Sequence, residues 1–140
     1  MKGSIAALVL LVGCSNPNPS GDGGMDSGGG DAAMQVVNGC TTFTDDTAAA
    51  TPTITGPSTA TPSQYTPNCV HIKVGQTVTW NSAFGPHPLQ PTSGMGTTPT
   101  PITSTMTGTT VMVTFNTAGT YSFECGNHPA IMKGAVEVTP

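Results

Sequence analysis

Tyr121-Ser-Phe-Glu-Cys125-Gly-Asn-His128-Pro-Ala-Ile-Met132-Lys-Gly-Ala-Val-Glu-Val138 is the stretch that decides the fold. Tyr121, Phe123 and Cys125 alternate with Ser122 and Glu124, the period of a strand that turns its thiol inward beside two rings and leaves Glu124 to water. Gly126-Asn127 is a turn dipeptide that ends this strand and brings His128 back toward Cys125, with Met132 four residues on. One short loop thus offers a thiolate, an imidazole and a thioether to one point. That soft, mixed donor set suits copper and lacks only a second imidazole.

Three histidines make the search for it short. His87 lies in Phe84-Gly-Pro-His87-Pro, a Gly/Pro-rich turn just beyond the strand-like run Thr77-Val-Thr-Trp-Asn81. His71 lies in Cys69-Val-His-Ile-Lys-Val74, where Val70, Ile72 and Val74 share one face and His71 and Lys73 the other. His87 is therefore the expected ligand and His71 an exposed strand residue. Each ligand taken singly has a plainer role: a buried thiol acts as a small hydrophobe, His128 caps a turn, Met132 fills core. Their ordered set is what points to a metal.

From roughly Val70 to Val138 the chain resembles the cupredoxins, the family of plastocyanin, amicyanin and azurin. The resemblance rests on Thr77-Val-Thr-Trp-Asn81, Phe84-Gly-Pro-His87, Gly119-Thr-Tyr-Ser-Phe-Glu-Cys125, Gly126-Asn-His128 and Met132-Lys-Gly-Ala-Val-Glu-Val138. It implies an all-β Greek-key sandwich of about seven or eight strands holding one type 1 Cu(I)/Cu(II) ion. His87 and His128 would be the imidazole ligands, Cys125 the thiolate and Met132 the axial thioether. Such a set suits neither oxidation state fully and both tolerably, so one electron moves with little rearrangement. By the same resemblance, the ring edge of His128, inside an apolar collar of Pro129, Ala130 and Ile131, is where redox partners dock. The His128 to Met132 spacing falls between those of amicyanin and plastocyanin. Pro88 stands where the family usually has Asn, whose backbone N–H donates to the thiolate sulfur; proline has no such donor, which implies a lower potential.

Composition bounds the rest. Charged residues are only 7% of the 140, so helices laced with ion pairs are disfavoured against short strands between Gly/Pro turns. A formal charge of −4 with three Lys/Arg cannot build the basic patch that nucleic acid needs. Zinc is disfavoured because thioethers are poor zinc ligands. Thiol catalysis by Cys125 and His128 lacks a visible orienting group, and a metal would consume both side chains. The chain is not expected to be an enzyme.

Met1 to Gly13 reads as a signal peptide: one lysine, a run from Ile5 to Val12 too short to span a bilayer, and a small residue before Cys14. Leu11-Val-Gly-Cys14 resembles the bacterial lipobox, which implies lipid on Cys14; an ordinary signal with a free cysteine is the plainer alternative. Ser15 in the next position resembles sorting to the outer membrane, facing the periplasm or the cell surface. Residues 14–38 are rich in Gly, Ser, Pro and Asp without apolar periodicity and read as a lipid-anchored tether, spanning about 25–30 Å. Residues 39–140 are then the domain, read as a monomer.

With Cys14 and Cys125 assigned, Cys40 and Cys69 are left to bridge, or to stay as two buried thiols; export favours the disulfide. Strands are expected at Thr53–Thr55, Val70–Val74, Thr77–Asn81, Leu89–Gln90, Thr103–Thr107, Thr109–Phe115, Gly119–Cys125 and Gly134–Val138. Gly75-Gln76 is read as a hairpin-like junction and Pro91 to Pro101 as a surface loop. Met95, Met106 and Met112 are read as loop or core filling. Function follows as single-electron transport outside the cytoplasm, with copper storage or delivery as the second reading.

Overall fold

The structure, a computed structural model, describes residues 36–140. The expected signal peptide, the expected lipid site at Cys14 and the part of the expected tether up to residue 35 lie outside the described residues. Eight strands follow in order: β1 (Thr44–Asp45), β2 (Thr53–Thr55), β3 (Cys69–Lys73), β4 (Thr77–Asn81), β5 (Leu89–Gly96), β6 (Thr110–Thr114), β7 (Gly119–Cys125) and β8 (Lys133–Thr139). They form a five-stranded sheet, β1-β3-β8-β7-β5, and a three-stranded sheet, β2-β4-β6. Both sheets mix parallel and antiparallel pairs: β1 with β3, β3 with β8 and β2 with β4 run parallel, the others antiparallel.

Alternation in sequence becomes alternation in burial. In β4 Val78 and Trp80 are fully buried while Thr77, Thr79 and Asn81 are only partly covered. Val70 and Ile72 of β3, Phe123 and Cys125 of β7, and Val136 of β8 meet them from the opposite sheet. Phe123 stands at the centre, edge-on to Tyr65 at 5.3 Å and to Trp80 at 5.4 Å, the geometry aromatic quadrupoles favour.

Every connection between consecutive strands crosses from one sheet to the other except the last, β7 to β8, which is an antiparallel hairpin within the large sheet. Gly75-Gln76 is therefore a crossing turn, not a hairpin: its flanking strands lie in different sheets, and Gly75 takes φ 92°, a conformation side chains resist. Pro91 to Gly96, expected as loop, extends β5. As the edge strand of its sheet, β5 has no ladder on its outer side, so it tolerates proline, and its register shifts between Pro91 and Gly96. Thr103–Thr107 is not a strand; only Thr105 pairs, with Leu89. Met95, Met106 and Met112 are exposed by 48%, 67% and 63%, so none fills the core.

Cys40 and Cys69 are joined in a disulfide 29 residues apart in sequence. Beside it Val37, Cys40, Cys69 and Ala135 make a small second apolar cluster. Val37 and Asn38, assigned by sequence to the end of the tether, are thus built into the body. Asn38, in the left-handed region at φ 55°, sends its side-chain amide to Phe123 O at 2.7 Å, Gly134 O at 3.0 Å and Thr92 Oγ1 at 3.0 Å.

Candidate metal centre

The one in-sheet hairpin among the described residues carries the ligand loop. Cys125 ends β7, and its amide donates to Met132 O at 2.8 Å, so the two residues face each other across the hairpin mouth. Between them the chain makes a tight turn: His128 N–H donates to Cys125 O at 3.2 Å and Met132 N–H to His128 O at 2.9 Å. Cys125 and Met132 are completely buried in the main core, while His128 is partly exposed. Pro129, Ala130 and Ile131 between them are exposed, Ile131 by 46%.

His87 comes from the β4–β5 crossover. A single helical turn, closed by His87 N–H to Ala83 O at 3.0 Å, swings it over the hairpin. Its ring is fully buried, and Nε2 lies 2.8 Å from Thr59 O. A carbonyl only accepts, so Nε2 carries the proton and Nδ1 keeps its lone pair for the site. Asn127 Nδ2 donates to Pro86 O at 2.9 Å, tying the two ligand-bearing segments together.

The result is a triangle of three donor atoms. Nδ1 of His87 and Nδ1 of His128 are 3.2 Å apart, and Cys125 Sγ lies 3.8 Å from the first and 3.6 Å from the second. The point equidistant from all three lies about 2.1 Å from each, a metal–ligand bond length, since typical M–N and M–S bonds are about 2.0 and 2.3 Å. The arrangement therefore fits an ion without repacking. Leu89 pairs with Cys125 and Gly126 N–H is taken by Pro88 O at 2.8 Å, so the two imidazoles are the hydrogen-bonding neighbours of Sγ among the described residues. Burial, reinforced by the nearby Cys125, holds the Tyr65 phenol well above its ordinary pKa, so its ring adds no charge beside the site.

Residues 50–139 match the family described as copper binding proteins, plastocyanin/azurin family. This chain is a cupredoxin. The four ligands expected from sequence, His87, Cys125, His128 and Met132, are arranged as a type 1 copper site, and copper is the metal this cupredoxin takes. Among solved structures it is similar to a purple cupredoxin from Nitrosopumilus maritimus, at 27% identity over 63% of this chain and 99% of that one, with a TM-score of 0.48. It also resembles a copper-containing nitrite reductase from Thermus scotoductus, at 24% identity over 64% of this chain but only 22% of that one, TM-score 0.48. An amicyanin variant in its Cu(I) form aligns at 24% identity over 67% and 87% of the two chains, TM-score 0.46. No curated protein matches this cupredoxin.

Thr59, Asn127 and Asn38 were not singled out from sequence. The Thr59 contact uses a backbone carbonyl, which leaves no trace in residue identity. Asn127 was visible as a turn residue, although its bond to Pro86 was not.

Proposed function

We propose that this cupredoxin carries single electrons between redox partners outside the cytoplasm, held near a membrane by lipid on Cys14. The observation that carries this reading is the preassembled triangle of His87, His128 and Cys125. Copper bound there supplies a one-electron couple. The chain's part is to hold the donors still: Thr59 fixes the His87 ring, the hairpin fixes Cys125 against Met132, and Asn127 locks the two segments. A ligand set that does not rearrange keeps the barrier to electron exchange small. Burial of His87, Cys125 and Met132 keeps water off the ligands, leaving partly exposed His128 as the way in. The apolar rim at Pro129, Ala130 and Ile131 gives a partner a surface to desolvate.

Cu(II) added to the purified protein should produce an intense visible thiolate-to-copper band, absent in Cys125→Ser, and a reversible one-electron wave in voltammetry. A visible band without a reversible wave would refute transport and leave copper storage or delivery.

A further inference from the structure

Four strands end the two sheets: β1 and β5 the large one, β2 and β6 the small one. An open strand edge is a row of unpaired N–H and C=O groups, and proteins guard it with shortness, proline, a bulge, a charge or a covering segment. Three of the four edges are guarded. β1 has two residues; β2 has three, and its Thr55 is already bonded to Thr66; β5 carries Pro91 and a register shift. β6, Thr110-Val-Met-Val-Thr114, pairs with β4 over its whole length without a shift and holds neither charge nor proline. No Asp, Glu, Lys or Arg occurs anywhere from Val74 to Phe123, and among the described residues no strand lies on the outer side of β6.

We propose that β6 is a docking edge for a second copy of this chain, joining the two small sheets antiparallel across a twofold axis at Met112. Ser82 N–H donates to Thr109 O and Phe115 N–H to Gln76 O, so by the alternation of an antiparallel ladder Val111 and Val113 bond to β4. The N–H and C=O groups of Thr110, Met112 and Thr114 therefore point away from the sheet. A twofold contact needs an edge that is its own complement. Thr110-Val-Met-Val-Thr114 reads the same in both directions, so pairing centred on Met112 sets Thr110 against Thr114, Val111 against Val113 and Met112 against its own image. In that register every outward N–H meets an outward C=O, three from each copy and six in all. Like-paired threonines and β-branched side chains are combinations that antiparallel strands favour. Met112, exposed by 63%, is covered by its image. Near Thr114 the edge borders a cleft whose other wall includes Pro99, Thr100 and Pro101. The palindrome means nothing until the fold leaves β6 at an edge, which is why the sequence alone reads as a monomer. Thr110 lies opposite Asn81, at the end of β4 from which the chain turns to His87, so antiparallel pairing directs the two metal centres to opposite ends of the joined sheet. Both His128 rims then stay free. Five paired residues a side are far fewer than the roughly 20–30 of a standard interface, so the dimer is weak and forms at high local concentration.

The test uses the copper-loaded full chain with Cys14→Ala, so that no lipid drives association. Sedimentation equilibrium up to about 1 mM protein should show monomer and dimer in exchange, with dimer the major species at the highest concentration. Met112→Lys sets two like charges face to face about 5.5 Å apart; it should weaken the dimer by about fivefold or more and leave the visible band in place. Thr55→Lys, on the opposite edge of the same sheet, should leave the dimer unchanged. Register is read by cross-linking. Met112→Cys should form a disulfide with its image on mild oxidation, the two Cα atoms standing about 5.5 Å apart, whereas Thr110→Cys, about 14 Å from its image, should not. A chain that stays monomeric throughout, a dimer indifferent to Met112→Lys or equally weakened by Thr55→Lys, or cross-linking as ready in Thr110→Cys as in Met112→Cys would overturn the proposal. None of these outcomes depends on whether the copper site carries electrons.

Discussion

Asn38→Ala should cost the folded protein about 3 kcal/mol, and the figure can be assembled from the structure. The Asn38 amide has two hydrogens and three acceptors within 3.0 Å, so it makes two full bonds, the buried ones being to Phe123 O and Gly134 O. At roughly 1 kcal/mol net each they contribute about 2 kcal/mol. The backbone adds more: at φ 55° an alanine pays about 1 kcal/mol that asparagine largely avoids. Asn38→Gly separates the two contributions, because glycine takes that φ freely yet loses both bonds; it should cost about 2 kcal/mol. Denaturant unfolding of the copper-free full chain measures both, and each kcal/mol should also lower Tm by roughly 4–8 °C for a body of this size. The residue touches no ligand, so the visible copper–thiolate band of each loaded variant should keep its position. A loss under about 1 kcal/mol in the alanine variant, or a glycine variant no more stable than it, would refute the reasoning.

Three further outcomes are expected. Pro88→Asn restores an N–H beside the sulfur; a bond worth about 0.5–1.5 kcal/mol more in the reduced state would raise the potential by roughly 20–60 mV, and an unchanged or lower value in voltammetry counts against it. Gly134→Ala drives a methyl into the Asn68 carbonyl oxygen and to 2.7 Å from Phe123 Cζ, so thermal unfolding should show a loss of about 3 kcal/mol or more, or no soluble protein. Replacing Cys40 and Cys69 together by Ala should cost about 3.5 kcal/mol by the entropy of the loop they close, measured by urea unfolding, and should leave copper binding intact.

How much of this was legible depends on whether information is local in the chain. Cys125, His128 and Met132 were legible because one hairpin holds all three, and His87 because its turn chemistry and its strand lie side by side in sequence. Cys40 and Cys69 followed from counting thiols. The Pro91–Gly96 extension of β5 was not legible, since nothing in Pro91-Thr-Ser-Gly-Met-Gly reads as a strand until β7 supplies a partner and the sheet edge excuses the proline. Nor were the partners of His71, read as exposed, whose ring nitrogens lie 3.8 Å from Asp45 Oδ1 and 2.9 Å from Thr139 Oγ1: β1 is only Thr44–Asp45, too short to show a period, and its register against β3 is set by the fold. The assignment of Val37 and Asn38 to the tether failed for the same reason, because a Gly-rich run looks alike whether it is solvated or folded across a sheet.

The distribution of crossings explains why the ligands are divided as they are. Six of the seven connections change sheet, so altering one of them shifts strands in both layers of the core. The seventh, Gly126 to Met132, changes none; it has to bring Cys125 N–H to Met132 O and Asn127 to Pro86 O. A loop of that kind can vary its spacing, and with it the position of Met132, while β7 and β8 keep their register. His87 sits on a crossing, where Phe84 is buried in the core and Thr59 fixes its ring, so it supplies the fixed reference against which the loop's ligands are placed. Rigidity at this centre therefore comes from the body through His87 and from β7 through Cys125, and adjustment comes from the hairpin loop through His128 and Met132.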